Sequence, residues 1–295
     1  MFTRRKFLTV LGTATIWGAQ RENSIAQSLA NNNYPIQEAE VEVLWKSPDG
    51  HPNALEATEK GLWVGEQVTD VAYLLDWKTG GVLKKIPTES SNTSGMAYGG
   101  GFLWMAANGP CRWPPGNKLI SEWRELRPTD AKTGVGEVVK IDPITGATVS
   151  RHLIPGGGGV HGLTWDRDGI WITTFQLPKN ETGGGLTKVD LNFKVLHTIP
   201  VTLKRSHGLA TDQDTIWCMF SNDFRILRMD KKDGRILKAI QLSKSSHPDP
   251  HGMTRHNGKL YYCDAGIGTD RQGRGVGAGS NKSPYAGSIC RIHLP

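Results

Sequence analysis

One pattern recurs five times along the chain and restricts what it can fold into. A polar residue is followed by Ala or Gly and an apolar residue, then by Trp or Tyr ten positions after the first. The copies are Asn53-Ala54-Leu55 with Trp63, Ser94-Gly95-Met96 with Trp104, His161-Gly162-Leu163 with Trp171, His207-Gly208-Leu209 with Trp217 and His251-Gly252-Met253 with Tyr261. Their first residues are 41, 67, 46 and 44 positions apart. Each copy reads as four short β segments, in the third 161–166, 169–175, 185–190 and 193–200, separated by Gly, Asp or Asn. The third and fourth segments make a recurring hairpin, as in Leu227-Arg228-Met229-Asp230 with the turn Lys232-Asp233-Gly234. The Gly there supplies the positive φ of the turn. A four-stranded antiparallel unit at this period marks a propeller blade. The chain is therefore predicted to be an all-β protein, a β-propeller of five four-stranded blades.

The two ends of the repeat region support a closed ring. Repeat five reaches its third strand at 288–293 and then the chain stops, while 41–46 reads as a fourth strand with no blade ahead of it. Pairing the two closes the last blade with the N-terminal strand and leaves no open edge. The long interval contains an insertion at about 109–134, and a second insertion lies at 266–287. Both fall between second and third strands, so both are expected on one face, which is also the face where the first residues of the repeats begin.

The segment before the repeats is predicted to be a targeting signal. Thr3-Arg4-Arg5-Lys6-Phe7-Leu8 resembles the twin-arginine export motif, an apolar stretch follows to Ala19, and Ser24-Ile25-Ala26 suits signal peptidase. This gives a signal peptide over 1–26, a polar linker over 27–40 and the propeller over 41–295. It implies contact with the Tat translocon and a periplasmic or otherwise exported location. The apolar stretch is too short for a membrane span. The net charge of +7 is spread among acidic residues, with no basic run interleaved with aromatics, which argues against nucleic acid as a partner. The four cysteines match no zinc ribbon or finger. Cys263 and Cys290 fall on strands expected to be neighbours, so they are either the first pair to test for a disulfide or buried thiols.

Five equivalent positions converge at one mouth of a propeller, and here they carry Asn53, Ser94, His161, His207 and His251. Neutral imidazole is a common metal ligand, and three His with an open position make a known catalytic arrangement. The expected metal site is His161, His207 and His251 with Asn53, holding one divalent transition metal, zinc or iron first, with copper and nickel also compatible. The competing reading is that His-Gly merely opens a strand in this repeat. Glu66 and Asp264 follow the repeat aromatic by three residues and are the candidate catalytic carboxylates, as partners of a His, a fourth ligand or a general base. Arg112, Arg205 and Arg255 are candidate anion binders. His152 and His197 are expected on outer strands. His247 is a candidate to reach the cavity, and His256 belongs to the opposite face.

The run His161-Gly162-Leu163-Thr164-Trp165-Asp166, with Gly169-Ile170-Trp171-Ile172-Thr173, resembles blades of the NHL-repeat and gluconolactonase-like propellers. Within that group it is most similar to peptidyl-α-hydroxyglycine amidating lyase and virginiamycin B lyase. The resemblance implies inward His residues on different blades holding a metal, a role that passes to His161, His207 and His251. Those families have six or seven blades, and Asn53 and Ser94 depart from their pattern. Plant-type glutaminyl cyclotransferases resemble the chain in blade number, but their Phe-Thr-Gln-Gly blade opening is absent. The resulting expectation is an exported metal-dependent enzyme, lyase or hydrolase, acting on a small-molecule or peptide substrate. The alternatives are a non-catalytic binding propeller and a glutaminyl-cyclotransferase-like enzyme.

Overall fold

The structure, a computed structural model, describes residues 34–109, 128–130, 132, 134–178, 184–201, 203, 205–266 and 284–294. The proposed signal segment, Cys111 and Arg112 lie outside the described residues, as does most of both insertions. An N-terminal pair of strands, β1 (Ile36–Glu38) and β2 (Glu40–Lys46), comes first. Blade one is β3 (Pro52–Thr58), β4 (Gly61–Glu66), β5 (Val71–Leu75) and β6 (Val82–Pro87). Blade two is β7 (Gly95–Gly99), β8 (Phe102–Ala107), β9 (Glu137–Ile141) and β10 (Thr148–Leu153). Blade three is β11 (Val160–Asp166), β12 (Gly169–Thr174), β13 (Gly185–Val189) and β14 (Val195–Pro200). Blade four is β15 (Ser206–Asp212), β16 (Thr215–Phe220), β17 (Arg225–Asp230) and β18 (Ile236–Gln241). Blade five is β19 (Met253–His256), β20 (Lys259–Cys263) and β21 (Ser288–His293), completed by β2.

The five sheets make the predicted propeller. The inner strands β3, β7, β11, β15 and β19 are neighbours in that order, and β19 returns to β3, so the ring is closed. The closing strand pairs antiparallel with β21, Val41 opposite Ile292 and Val43 opposite Cys290, as the missing fourth strand of repeat five required. Arg291 and His293 bond Glu42 across this seam. Part of the segment expected to be linker is also structured. Ile36–Glu38 pairs parallel with β18, Tyr34 is buried beside it, and one residue, Ala39, separates the strand on blade four from the strand on blade five. The same segment thus covers the edges of two adjacent blades. Its composition gives no strand signal because it is short and polar, and the edge of β18 supplies its hydrogen bonds.

The repeated spacing has two physical causes. Each repeat aromatic lies in a cluster shared with the next blade: Trp63 packs with Met105 and Ile141, Trp104 with Leu163 and Ile172, Trp171 with Leu209 and Leu227, Trp217 with Tyr262 and Ile292, and Tyr261 with Leu55 and Tyr73. These rings are the glue between blades, and truncating one is expected to cost ~3–5 kcal/mol. The Gly after the first residue allows inner strands to approach. A Cβ on Gly95 would sit 2.7 Å from His161 O, and one on Gly252 2.7 Å from Asn53 O. Gly162 and Gly208 face the backbone at His207 and at His251–Met253 in the same way. In the His-Gly pair the Gly therefore serves ring closure, and the His is left to the site.

The cysteine pair does not bond. Cys290 stands opposite Tyr262, and Cys263 stands opposite Ile289. Neighbours along a strand face opposite sides of a sheet, so Cys263 points into the cluster between blades five and one and Cys290 into that between four and five. Both are buried free thiols.

Candidate functional site

The first residues of the repeats do meet at one mouth of the ring, and local irregularities in the strands aim them there. The β3–β4 register shifts between Pro52 and Ala54, the β11–β12 register between Val160 and Leu163, and the β15–β16 register between Ser206 and Leu209. Each shift contains the site residue, Asn53, His161 or His207, and a bulge of this kind re-aims the side chain. In blade three the bulge is pinned by Thr173, whose hydroxyl accepts from His161 N at 3.1 Å and Gly162 N at 2.6 Å.

The three imidazoles are in contact. The ring centres of His161 and His207 are 4.5 Å apart with planes inclined at 26°, and those of His207 and His251 are 4.9 Å apart at 78°. Phe175 closes one side, its ring edge-on to His161 at 4.7 Å. The two remaining first residues bond each other, Asn53 Nδ2 donating to Ser94 Oγ at 3.3 Å, and Ser94 Oγ also accepts from Asn108 at 3.1 Å. His251 Nδ1 lies 3.2 Å from Asp249 O. A carbonyl only accepts, so Nδ1 carries the proton and Nε2 the lone pair. His161 Nδ1, both ring nitrogens of His207 and Asn53 Oδ1 are buried without a hydrogen-bond partner.

Burial is the main reason these rings stay neutral. It pushes His161 down to about 3 and His251 to about 4, and it lowers His207 well below the ordinary histidine range. The nearby charge of Arg205 acts in the same direction on all three. Neutral imidazoles with unpartnered nitrogens fit a divalent transition metal in donor chemistry. Their present positions are not yet those of a ligand set: among the described residues no three His, Cys, Asp or Glu groups lie in a metal-holding arrangement.

The two candidate carboxylates are placed differently from the imidazoles. Glu66 is fully buried, one oxygen taking the Ser47 hydroxyl and the other His51 N at 2.8 Å, and burial raises it to about 8. It ties the turn between β2 and β3 to β4. Asp264 is also fully buried and accepts from Asp249 N at 3.1 Å and Gly266 N at 2.8 Å. Its charge favours protonation of His251, although burial of its own carboxyl is the larger influence on it. Asp264 thus holds the segment whose carbonyl orients His251. The carboxylate that sequence reasoning missed is Asp249, two residues before His251. Burial lifts it to about 6 against the charge of Arg205. Arg205 occupies the same position before His207, so the signal lay in a second column of the repeat. Arg255 does not reach the mouth and pairs with Asp212 at 3.3 Å. His247 is used locally, accepting from Ser243 N, and His256 stacks on Trp77. His152 and His197 lie on the outer strands β10 and β14.

Further along β3 a different carboxyl bridges the inner strands. Glu56 accepts from Tyr98 N of β7 at 3.1 Å and from the Thr254 hydroxyl of β19 at 3.3 Å, and burial raises it to about 8. It is protonated at neutral pH and belongs to the ring, away from the mouth.

No family model matches the chain, and no curated protein sequence matches it. Solved structures share the fold. A glutaminyl cyclase from Myxococcus xanthus superposes with a TM-score of 0.60 at 10% identity, over 89% of this chain and 98% of that one. A streptogramin B lyase gives 0.45 at 13% identity over 87% and 98%, and virginiamycin B lyase from Staphylococcus aureus 0.46 at 11% over 88% and 100%. Among the described residues no helix is long and apolar enough to cross a membrane.

Proposed function

We propose that the chain is an exported, metal-dependent propeller enzyme of the lyase or hydrolase type, acting on a small-molecule or peptide substrate at the mouth of the ring. The observation that carries this reading is the contact of three neutral imidazoles, two of which, His161 and His207, carry buried, unpartnered nitrogens. Leaving one such atom unsatisfied costs ~1–3 kcal/mol, and several at one place argue for a ligand that satisfies them. His161, His207 and His251 would hold the metal, with Asn53 Oδ1 beside them. When bound, the metal would supply Lewis acidity to a substrate oxygen or acidify a water.

The chain's own residues do the rest. The Asp249 carbonyl keeps the His251 proton on Nδ1, and Asp264 fixes that carbonyl in turn. Phe175 shields His161 from solvent on one side. Asp249 is the carboxylate at hand for moving a proton at the mouth, while Glu66 and Asp264 act as positioning residues. Export rests on the Arg4-Arg5 motif and the small residues at 24–26. The fold shared with a glutaminyl cyclase is compatible with an enzyme and does not specify the reaction.

The second reading is a propeller that binds a ligand without metal chemistry. It is favoured by the lack of a ready metal-holding arrangement among the described residues. Elemental analysis of protein purified from its exported pool separates the two. One equivalent of zinc or iron is expected, lost in His207→Ala and kept in His152→Ala. Folded protein that carries no metal and takes up neither added zinc nor iron(II) would leave the binding propeller as the better description.

A further inference from the structure

The positions two residues ahead of the repeat column form a second tier around the mouth: His51, Asn92, Gly159, Arg205 and Asp249. Most of this tier is spoken for. His51 Nδ1 bonds Ala265 O at 3.1 Å, and Asn92 Oδ1 accepts from Gln67 at 2.6 Å. Gly159 leaves its space to the ring of Phe175, which a Cβ there would meet at 2.8 Å.

Arg205 is different. Its backbone is left-handed, with φ of 60°, a conformation a bulky residue adopts only where its surroundings impose it. Its carbonyl accepts from Ser221 N at 3.4 Å, which fixes the turn into β15. Its guanidinium makes one long contact, 3.5 Å to Asn222 Oδ1, and no ion pair among the described residues. Arg151, Arg228, Arg255 and Arg291, on β10, β17, β19 and β21, each have a carboxylate within 4 Å, and Arg225, also on β17, donates to Gln241 Oε1 at 2.9 Å. The chain thus holds a half-buried, strained arginine at the mouth, close enough to the three imidazoles to disfavour their protonation and to feel the charge of Asp249, and among the described residues its fork grips no carboxylate. A guanidinium presents paired N–H donors that match the two oxygens of a planar or tetrahedral oxyanion.

We propose that Arg205 is a substrate-anchoring residue that binds an oxyanion group, a carboxylate or a phosphate, of a small molecule whose remaining part lies over His161, His207 and His251. Asp249, in the adjacent blade at the same tier, gives the anchor direction: it repels a second anionic group from the blade-five side, so the anion seats on blade four. The proposal deepens the reading of the mouth as the active site and assigns it acidic substrates.

The test uses the full chain with two probes, sodium acetate for a carboxylate and inorganic phosphate, followed by the ring-proton resonances of the mouth histidines. Arg205→Asn removes the charge with a residue that tolerates φ > 0, and Arg205→Lys keeps the charge without the fork. At least one probe is expected to saturate with wild-type protein. Arg205→Asn should weaken it by about tenfold or more, Arg205→Lys by less, and Arg255→Gln not at all. The probe that saturates identifies the anion class. Failure of both probes, or equal affinity in wild type and Arg205→Asn, overturns the proposal; if Arg205→Asn does not fold, equal affinity in Arg205→Lys does so. Metal content measured on the same samples is independent. An anion site without metal would sink the metal reading and keep the anchor, and metal without an anion site would do the reverse.

Discussion

Replacing Gly95 with Ala tests the division of labour inside the repeat motif. The added Cβ would lie 2.7 Å from His161 O, 2.8 Å from Gly162 Cα and 2.8 Å from Leu163 N. All three are backbone atoms of the neighbouring inner strand, so no side chain can turn aside. Ordinary contact would need the strands to part by roughly 0.7 Å or more, judged against the ~3.5–4.0 Å optimum for carbon contacts. A closed ring of five blades relays such a shift to every interface. Overpacking of this kind costs ~1–3 kcal/mol, and the rigid surroundings place Gly95→Ala at the upper end, about 3 kcal/mol. For a domain of this size that corresponds to a fall in Tm of roughly 6–12 °C. Gly81→Ala is the control: it is exposed, and a Cβ there meets only the Thr79 hydroxyl, at 3.1 Å. Thermal unfolding followed by far-UV circular dichroism measures both. If Gly95→Ala melts within about 2 °C of wild type, an amount set by less than 1 kcal/mol, the close approach of inner strands is not what the Gly serves.

Three further outcomes follow from named residues. Glu56 is protonated in the folded chain up to about pH 8 but ionised above about 4.5 when unfolded, so its burial lowers stability as pH rises between those values. Glu56→Gln should therefore raise stability at pH 7 by about 2–3 kcal/mol, with the gain shrinking toward pH 4.5; urea unfolding showing no pH-dependent difference would contradict the assignment. Deleting 34–46 uncovers the edges of β18 and β21 together and should abolish the cooperative transition, and a deletion variant melting like the parent would show that the seam is dispensable. Replacing Arg4 and Arg5 with Lys should retain the precursor in the cytoplasm, and unchanged fractionation of the double variant would exclude the twin-arginine route.

Most of the architecture was legible because the repeat carries it twice, in the aromatic that packs between blades and in the Gly that permits ring closure. The pairing of 41–46 with 288–293 followed from simple strand counting. The strand at 36–38 was not legible, since three mostly exposed residues acquire their order from the edge of β18 rather than from their own pattern. At the site, the repeat column put His161, His207 and His251 together, but the roles of neighbouring carboxylates depended on geometry that spacing does not encode. Glu66 and Asp264 sit at the ends of second strands, where their oxygens are captured by backbone N–H groups of adjacent loops. Cys263 and Cys290 show the same limit: adjacent strands were correct, but the one-residue offset in register sends their side chains to opposite faces.

The central claim is that the three imidazoles form a metal site. Crystals grown with zinc and measured at the zinc absorption edge test it most directly. The account predicts one anomalous peak at the mouth, roughly 2.0–2.2 Å from a ring nitrogen of each of His161, His207 and His251. A map with no peak there, with each ring hydrogen-bonded to a separate partner, would contradict it.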